Sequence, residues 1–382
     1  MLQRRWLRLL AVLLGLTLIA AACGSDSDSD GDTSTTESEN IDPTDTESSQ
    51  VSLDDRCQEA KDRGVEAPDG FTVRLITDIG KIDDRTFNQF AYEGMQAAEE
   101  CFGFETSFIE TQSEADYAAN IATSLEGDPD AIVTVGFLLA TDTLAAAEAN
   151  SEVSFIGVDQ FQPEFPPNYI GVQFREDEGG FLAGVAAAQL SETGVIGVVG
   201  GREDVPPVVR YVNAFETGAK SVNPDITVLS IYNESFNDPA KGASDAEQFI
   251  GDGADVIFGA GGPTGSAGVV KATEQGLWGI GVDQDEYFST FDGGAAPGSE
   301  FLATSAIKRV DLSVFDNIVA LLEGTFEGGL FTLTAENGGI TYAPPHDAAV
   351  PDGFEAKLEE TRQGLADGTI DIGVDPVTGL PT

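Results

Sequence analysis

Positive charge is scarce in this sequence. Lysine and arginine together number 19 against 66 aspartates and glutamates, giving a formal net charge of −47 over 382 residues. Such a field repels phosphate backbones, so nucleic acid is excluded as a partner. Histidine occurs once, as His346, and cysteine three times, with no cysteine near His346 in sequence. That leaves little with which to build a zinc site, and neither a metal nor a cofactor is expected. Catalytic signatures are missing too: there is no GxSxG elbow, no P-loop lysine and no Cys–His pairing. The run Gly261-Gly262-Pro263-Thr264-Gly265 is glycine-rich but lacks the Lys-Ser/Thr that would cradle phosphate, and no enzyme is expected. Apolar residues, by contrast, make up 41% of the chain, enough for a sizeable core. At roughly 100–200 residues per domain, this length fits two domains or one large α/β unit.

The amino terminus reads as a targeting segment. Arg4, Arg5 and Arg8 form a basic region, Leu9 to Ile19 an apolar one, and Ala20-Ala21-Ala22-Cys23 follows. The apolar stretch is too short for a secure membrane span and fits a secretory signal. A small-residue run ending in Cys23 before Gly24-Ser25-Asp26 resembles a bacterial lipobox, although Ala20 stands where leucine is commoner. That resemblance implies a signal peptide over 1–22 and lipidation of Cys23. An ordinary signal peptide with an incidental cysteine is the alternative. Removal of residues 1–22 takes away three arginines and no acids, leaving the mature chain near −50. Residues 24–56 hold eleven acids among serine and threonine, and nothing apolar recurs there. The expectation is a flexible, self-repelling acidic tether over 23–66. Cys57 and Cys101 are the remaining cysteines. An oxidising compartment suits a disulfide between them, with two buried free thiols as the other reading.

The rest alternates between strand-like and helix-like stretches. Apolar, β-branched runs cover Phe71 to Thr77, Phe104 to Ile109, Ala131 to Val135 and Val153 to Val158. Further runs cover Val195 to Val199, Ile226 to Tyr232, Val256 to Phe258 and Gly279 to Val282. Helical spacing covers Thr86 to Cys101, 114–126, 141–150, 177–191, 207–222, 239–252 and 265–276. Strands alternating with helices imply parallel sheets covered on both faces. The run divides near residue 175, so two doubly wound lobes with a cleft between them are expected. In such sheets ligands sit beyond the carboxyl ends of the strands. There, three separate strands deliver an aspartate: Asp78, Asp159 and Asp283. A carboxylate accepts two hydrogen bonds side by side and suits a vicinal diol. Each aspartate alone could equally serve a turn or cap. Asp83 or Asp84 could cap the helix opening at Phe87, which is either a first-turn ring facing the cleft or a core anchor.

Several segments, in order, resemble the basic membrane lipoprotein family, the purine-nucleoside-receptor type of substrate-binding lipoprotein serving ABC importers. They are Thr77-Asp78-Ile79-Gly80 running through Asp83-Asp84-Arg85-Thr86-Phe87-Asn88; Arg175-Glu176-Asp177-Glu178-Gly179-Gly180-Phe181; Phe215-Glu216-Thr217-Gly218; Phe236-Asn237-Asp238-Pro239; Gly281-Val282-Asp283-Gln284-Asp285; and Thr304-Ser305-Ala306-Ile307-Lys308. The likeness covers about residues 71–370. Lys81 replaces a frequent glycine, Pro263 interrupts the usual glycine turn, and the stretch 286–300 is longer than usual. The resemblance implies an α/β type I periplasmic-binding fold: two doubly wound parallel-sheet lobes joined by a hinge crossed three times. It implies lobe 1 over 67–174 plus 306–324, lobe 2 over 175–305 plus 325–350, and a carboxyl-terminal helix and tail over 351–382.

The ligand implied is a purine nucleoside (guanosine, inosine or adenosine), its base between Phe87 and Phe236. Asn88 and Asp159 would lie near the base edge, and Asp283 and Lys308 at the ribose. Gly262 would allow close backbone approach, and Asp78 would line the same cleft. Phe215 is the runner-up for the second ring, though its helical context favours the core. The implied partners are ABC permease and ATPase subunits and the membrane through a lipid anchor. The implied location is the extracytoplasmic face of the cell membrane, as a monomer. Two rival classes remain: a sugar-type regulator, which would need a basic helix-turn-helix head, and a binding lipoprotein for a different small ligand, sugar or autoinducer-like.

Overall fold

A computed structural model of the chain describes residues 51–382; Cys23 and the expected signal peptide lie outside them. Two six-stranded sheets organise the described residues. The first contains β1 (Thr72–Ile79), β2 (Glu105–Thr111), β3 (Ala131–Val135), β4 (Ser154–Val158), β5 (Tyr169–Phe174) and β11 (Gly329–Leu333), in the order β11-β5-β4-β3-β1-β2. The second contains β6 (Val195–Gly200), β7 (Thr227–Tyr232), β8 (Val256–Ala260), β9 (Trp278–Asp283), β10 (Leu302–Lys308) and β12 (Ile340–Tyr342), in the order β12-β10-β9-β8-β6-β7. Every pairing is parallel except β10 with β12. The central strands are buried along their whole length, as β3 and β8 show, because helices cover both faces.

Eleven α-helices connect and cover these strands among the described residues: α1 (Leu53–Asp62), α2 (Phe87–Phe102), α3 (Tyr117–Ser124), α4 (Ala140–Ala149), α5 (Glu176–Leu190), α6 (Pro206–Val222), α7 (Pro239–Gly251), α8 (Gly262–Thr273), α9 (Glu286–Ser289), α10 (Val310–Glu323) and α11 (Phe354–Ala366). Local chemistry sets several ends. Paired prolines open α6, where the missing N–H groups would have no helical acceptor anyway. Gly103 and Gly324, both left-handed, close α2 and α10. In the second lobe α5 packs on α6, and in the first α10 packs on α2.

The chain crosses between lobes three times: after β5, after β10 and between β11 and β12. This corrects the expected boundaries. Residues 306–308 belong to the second sheet as the end of β10, and the crossing follows them at Arg309. Strand β11, expected in lobe 2, pairs with β5 in the first sheet, Gly329 opposite Ile170 through Leu333 opposite Phe174. The expected tether also ends earlier than residue 66. Ser52 caps α1 in a reciprocal pair with Asp55. A disulfide joins Cys57 in α1 to Cys101 in α2, with their Cα atoms 5.8 Å apart. Arg309 then donates to the Val51 carbonyl at 2.9 Å, fixing the entry of the chain at the hinge.

Candidate functional site

A cavity of about 510 Å³ lies between the two sheets. All eight residues singled out in the sequence line it: Asp78, Phe87, Asn88, Asp159, Phe236, Gly262, Asp283 and Lys308. They arrive from both lobes, at strand ends and helix starts, as parallel topology requires. Phe215, the runner-up, is fully buried and stacks on Phe258 with ring centroids 5.2 Å apart, so it is a core residue.

The first-lobe wall is a hydrogen-bonded frame around Asp84. Its carboxylate accepts from the backbone N–H groups of Thr86 (3.0 Å), Asn88 (3.1 Å) and Gln89 (3.0 Å), satisfying the free donors at the start of α2. Asp84, not Asp83, therefore does the capping, reaching past the formal cap residue Thr86. The Asn88 side chain donates to Asp84 at 2.9 Å and accepts from the Asp78 backbone at 2.9 Å. The Asp78 carboxylate accepts from the Ile79 N–H at 2.7 Å and from the Tyr117 hydroxyl. Burial pushes Asp78 up to about 6 despite those donors. Gly136 makes this possible: it sits at φ 108, and a Cβ there would strike the Asp78 carboxylate.

The opposite wall is organised by Lys308. Its ammonium lies 2.7 Å from Asp159 and 2.9 Å from Glu176. It also lies 4.9 Å from the centroid of Phe87 and 4.7 Å from that of Phe174, within cation–π range. Burial opposes its charge, but Asp159, Glu176 and Asp283 outweigh that and hold it well above the ordinary lysine range. Burial raises Asp159 to about 6, against the pull of Lys308. It raises Asp283 to about 7, with Asp159, Asp84 and Glu176 adding to the rise and Lys308 opposing it. Among the described residues Asp283 receives no side-chain hydrogen bond, and one Asp159 oxygen is buried without a partner. Acceptors held free in a cavity fit a ligand that brings hydroxyl or amine donors.

Two contacts bridge the lobes beside the cavity. Gln284, in the second lobe, donates to the Thr86 carbonyl of the first at 3.2 Å. Arg202 of the second lobe pairs with Glu114 of the first. Gly262, at φ 58, leaves room beside the Phe236 carbonyl, and a Cβ there would lie 3.8 Å from the Thr86 hydroxyl.

Sequence reasoning offered Asp84 only as one of two cap candidates and did not single out Glu176 or Arg210. The last two form a buried pair at 2.6 Å behind Lys308. A signal existed for it: Arg210 is a lone cation in the run Pro207-Val208-Val209-Arg210-Tyr211-Val212 of a strongly acidic chain. Such a residue needs a buried carboxylate partner. No group of metal-binding side chains occurs among the described residues, and no described helix is long and apolar enough to cross a membrane.

Two doubly wound lobes, three crossings and an inter-lobe cavity make up the periplasmic-binding architecture. Its solved relatives agree. An ABC transporter solute-binding protein from Aeropyrum pernix K1 superposes with a TM-score of 0.71 at 25% identity, over 79% of this chain and 92% of that one. Residues 71–363 match the family described as ABC transporter substrate-binding protein PnrA-like, and the chain belongs to that family. Its members are binding proteins, not enzymes. An ABC transporter nucleoside-binding protein, BmpA, from Lactococcus lactis subsp. cremoris is 33% identical over 70% of this chain and 79% of its own. A CD4+ T-cell-stimulating antigen of Listeria monocytogenes is 31% identical over 80% of this chain and 89% of its own.

Proposed function

We propose that the protein binds a purine nucleoside in the inter-lobe cavity and presents it to the permease and ATPase subunits of an ABC importer. One observation carries the reading. Two aromatic rings from opposite lobes, Phe87 and Phe236, line the same inter-lobe cavity as Asp159, Asp283 and Lys308. Stacking contributes on the order of 1–3 kcal/mol per base. Carboxylates with free lone pairs suit the hydroxyls of a ribose. The nucleoside-binding name of the Lactococcus relative supports the same reading. Calorimetric titration with guanosine, inosine and adenosine, beside ribose, glucose and amino acids, tests it. Saturable binding of a nucleoside but not of ribose or glucose is expected; binding of a sugar alone would overturn it.

The same reading anchors the protein on the extracytoplasmic face through lipid on Cys23, as a monomer. Cys23→Ala should release it from the membrane fraction, and unchanged anchoring would rule the lipid out. A monomer mass by light scattering checks the last point.

A further inference from the structure

We infer that Glu176 and Arg210 are positioning residues of the cavity, and that the carboxyl-terminal strap, residues 373–382, completes them by seating Arg210. Neither residue lines the cavity, and both are almost wholly buried. They act through Lys308. A lysine carries a point charge on a four-carbon stem and has no built-in direction. In this cavity it could turn toward Asp159 or Asp283. Glu176 fixes it from behind, one oxygen 2.9 Å from the ammonium and the other accepting from Arg210 Nε at 2.6 Å. The planar guanidinium is fixed in turn by a second acceptor, the Val377 carbonyl, at 3.0 Å from Nη1.

That acceptor is part of a built turn. Asp375 accepts from the N–H groups of Val377 (3.0 Å) and Thr378 (2.7 Å), and Asp375 and Leu380 are joined backbone to backbone at 2.8 Å. Asn213, one turn along α6 from Arg210, donates to the Gly379 carbonyl at 2.6 Å. Gly379 sits at φ 76, where a Cβ would come within 2.7 Å of the Arg210 backbone nitrogen, so the strap lies directly on α6. Three contacts thus join four groups from the strap to the cavity: the Val377 carbonyl, Arg210, Glu176 and Lys308.

The test compares the full chain with Glu176→Gln and with a chain ending at Val374. Its first readout is the titration midpoint of the Asp159 carboxyl in unliganded protein, by carbon NMR with assigned aspartates. The titratable groups facing that carboxyl are Lys308, Glu176, Arg210, Asp283 and the Tyr211 hydroxyl. Glu176→Gln lowers the midpoint by loss of its own charge and sets the scale; in the truncated chain Glu176 keeps its charge, and release of Lys308 toward Asp159 should lower the midpoint as well. A strap that only adds stability would lower the melting temperature and leave the midpoint where it is; an unmoved midpoint in the truncated chain overturns the inference, whether or not Glu176→Gln folds. The second readout rests on the nucleoside reading: inosine affinity should fall about threefold to 30-fold in the truncated chain. If the full-length protein binds no nucleoside, that reading fails alone, and the midpoint still decides the strap.

Discussion

The two lobes carry the same tetrapeptide at the same place in their sheets and use it differently. Gly157-Val158-Asp159-Gln160 ends β4, and Gly281-Val282-Asp283-Gln284 ends β9, each strand third from the β11 or β12 edge. Both aspartates are left-handed, with φ 59 and φ 67, a conformation aspartate tolerates better than most residues. Beyond that the copies diverge. Gln160 turns into its own lobe, donating to the carbonyls of Thr134 (3.2 Å) and Gly136 (3.1 Å) and accepting from Tyr169 at 2.6 Å. Gln284 reaches instead across the cleft to Thr86. Asp159 is paired with a lysine, while Asp283 has no such partner. The first lobe turns its glutamine inward to build itself and sends its aspartate to a lysine of the other lobe; the second sends its glutamine across and leaves its aspartate free in the cavity. Equivalent strand ends therefore fix where a side chain stands, and the neighbours decide whether it serves stability or binding.

The hardest way to break that contrast is Lys308→Met. It strips the cation from Asp159 and Glu176, both buried. Removing one member of a buried pair costs about 3–5 kcal/mol. Urea denaturation should show a loss of that size, and nucleoside binding should vanish from calorimetry. Adding Asp159→Asn should restore part of the stability. No change in the single variant would mean that the pair does not hold the first-lobe copy.

Phe215→Ala comes next, against Phe87→Ala and Phe236→Ala. Phe215 is in the core, so its loss should lower unliganded stability by about 3–5 kcal/mol and leave binding by the folded fraction near normal. The two cavity rings should behave in reverse. Each loss should weaken nucleoside binding about fivefold to 150-fold with little effect on unliganded melting. Calorimetry beside melting curves separates the patterns, and a core-like result for Phe87 or Phe236 would remove that ring from the site.

What the sequence made legible follows from these particulars. Asp78, Asp159 and Asp283 were readable because a parallel sheet puts strand ends on one side, whatever the details of packing. Phe236 was readable only through the family resemblance of the Phe236-Asn237-Asp238-Pro239 segment, whereas the helical context of Phe215 already favoured the core. Strand β11 was not readable. Its five residues, Gly-Leu-Phe-Thr-Leu, show no alternation, Leu330 and Phe331 are exposed, and its partner β5 lies far back in the chain. Helix α1 was hidden by composition: it is acidic and continues an acidic run, and only the Ser52–Asp55 capping pair and Cys57 mark it. Glu176 and Arg210 sat in plain view, but which buried charges meet is a property of tertiary packing.

The glutamine pair sharpens the comparison further. Gln160→Leu leaves Tyr169 and the Thr134 and Gly136 carbonyls unpaired in a buried place and should cost about 1–3 kcal/mol of unliganded stability, seen in urea. Gln284→Leu removes a bond that runs between the lobes rather than within one. Its unliganded stability should barely move, while nucleoside affinity drops about threefold to tenfold. Equal effects of the two variants on stability would erase the distinction between the copies.

The smallest effect concerns the unpaired aspartate. Asp283 is raised from its ordinary 3.8 to about 7. Between those values the folded protein keeps a proton that the unfolded chain has already lost. Stability from this group is therefore present at low pH and declines as pH rises from about 4 to 7. Asp78, Asp159, Glu178 and Glu286, also raised, fall in overlapping windows, so wild type must be compared with a variant. Asp283→Asn cannot ionise. Its melting temperature should rise relative to wild type between pH 5 and pH 8, and the two curves should converge near pH 4. Binding should run the other way: a ligand that donates hydroxyls to the ionised carboxylate favours the deprotonated form, so wild-type affinity should increase across pH 6 to 8, and the variant should lose that slope. A melting difference that stays constant from pH 5 to pH 8 would place the proton elsewhere and return Asp283 to the same role as Asp159.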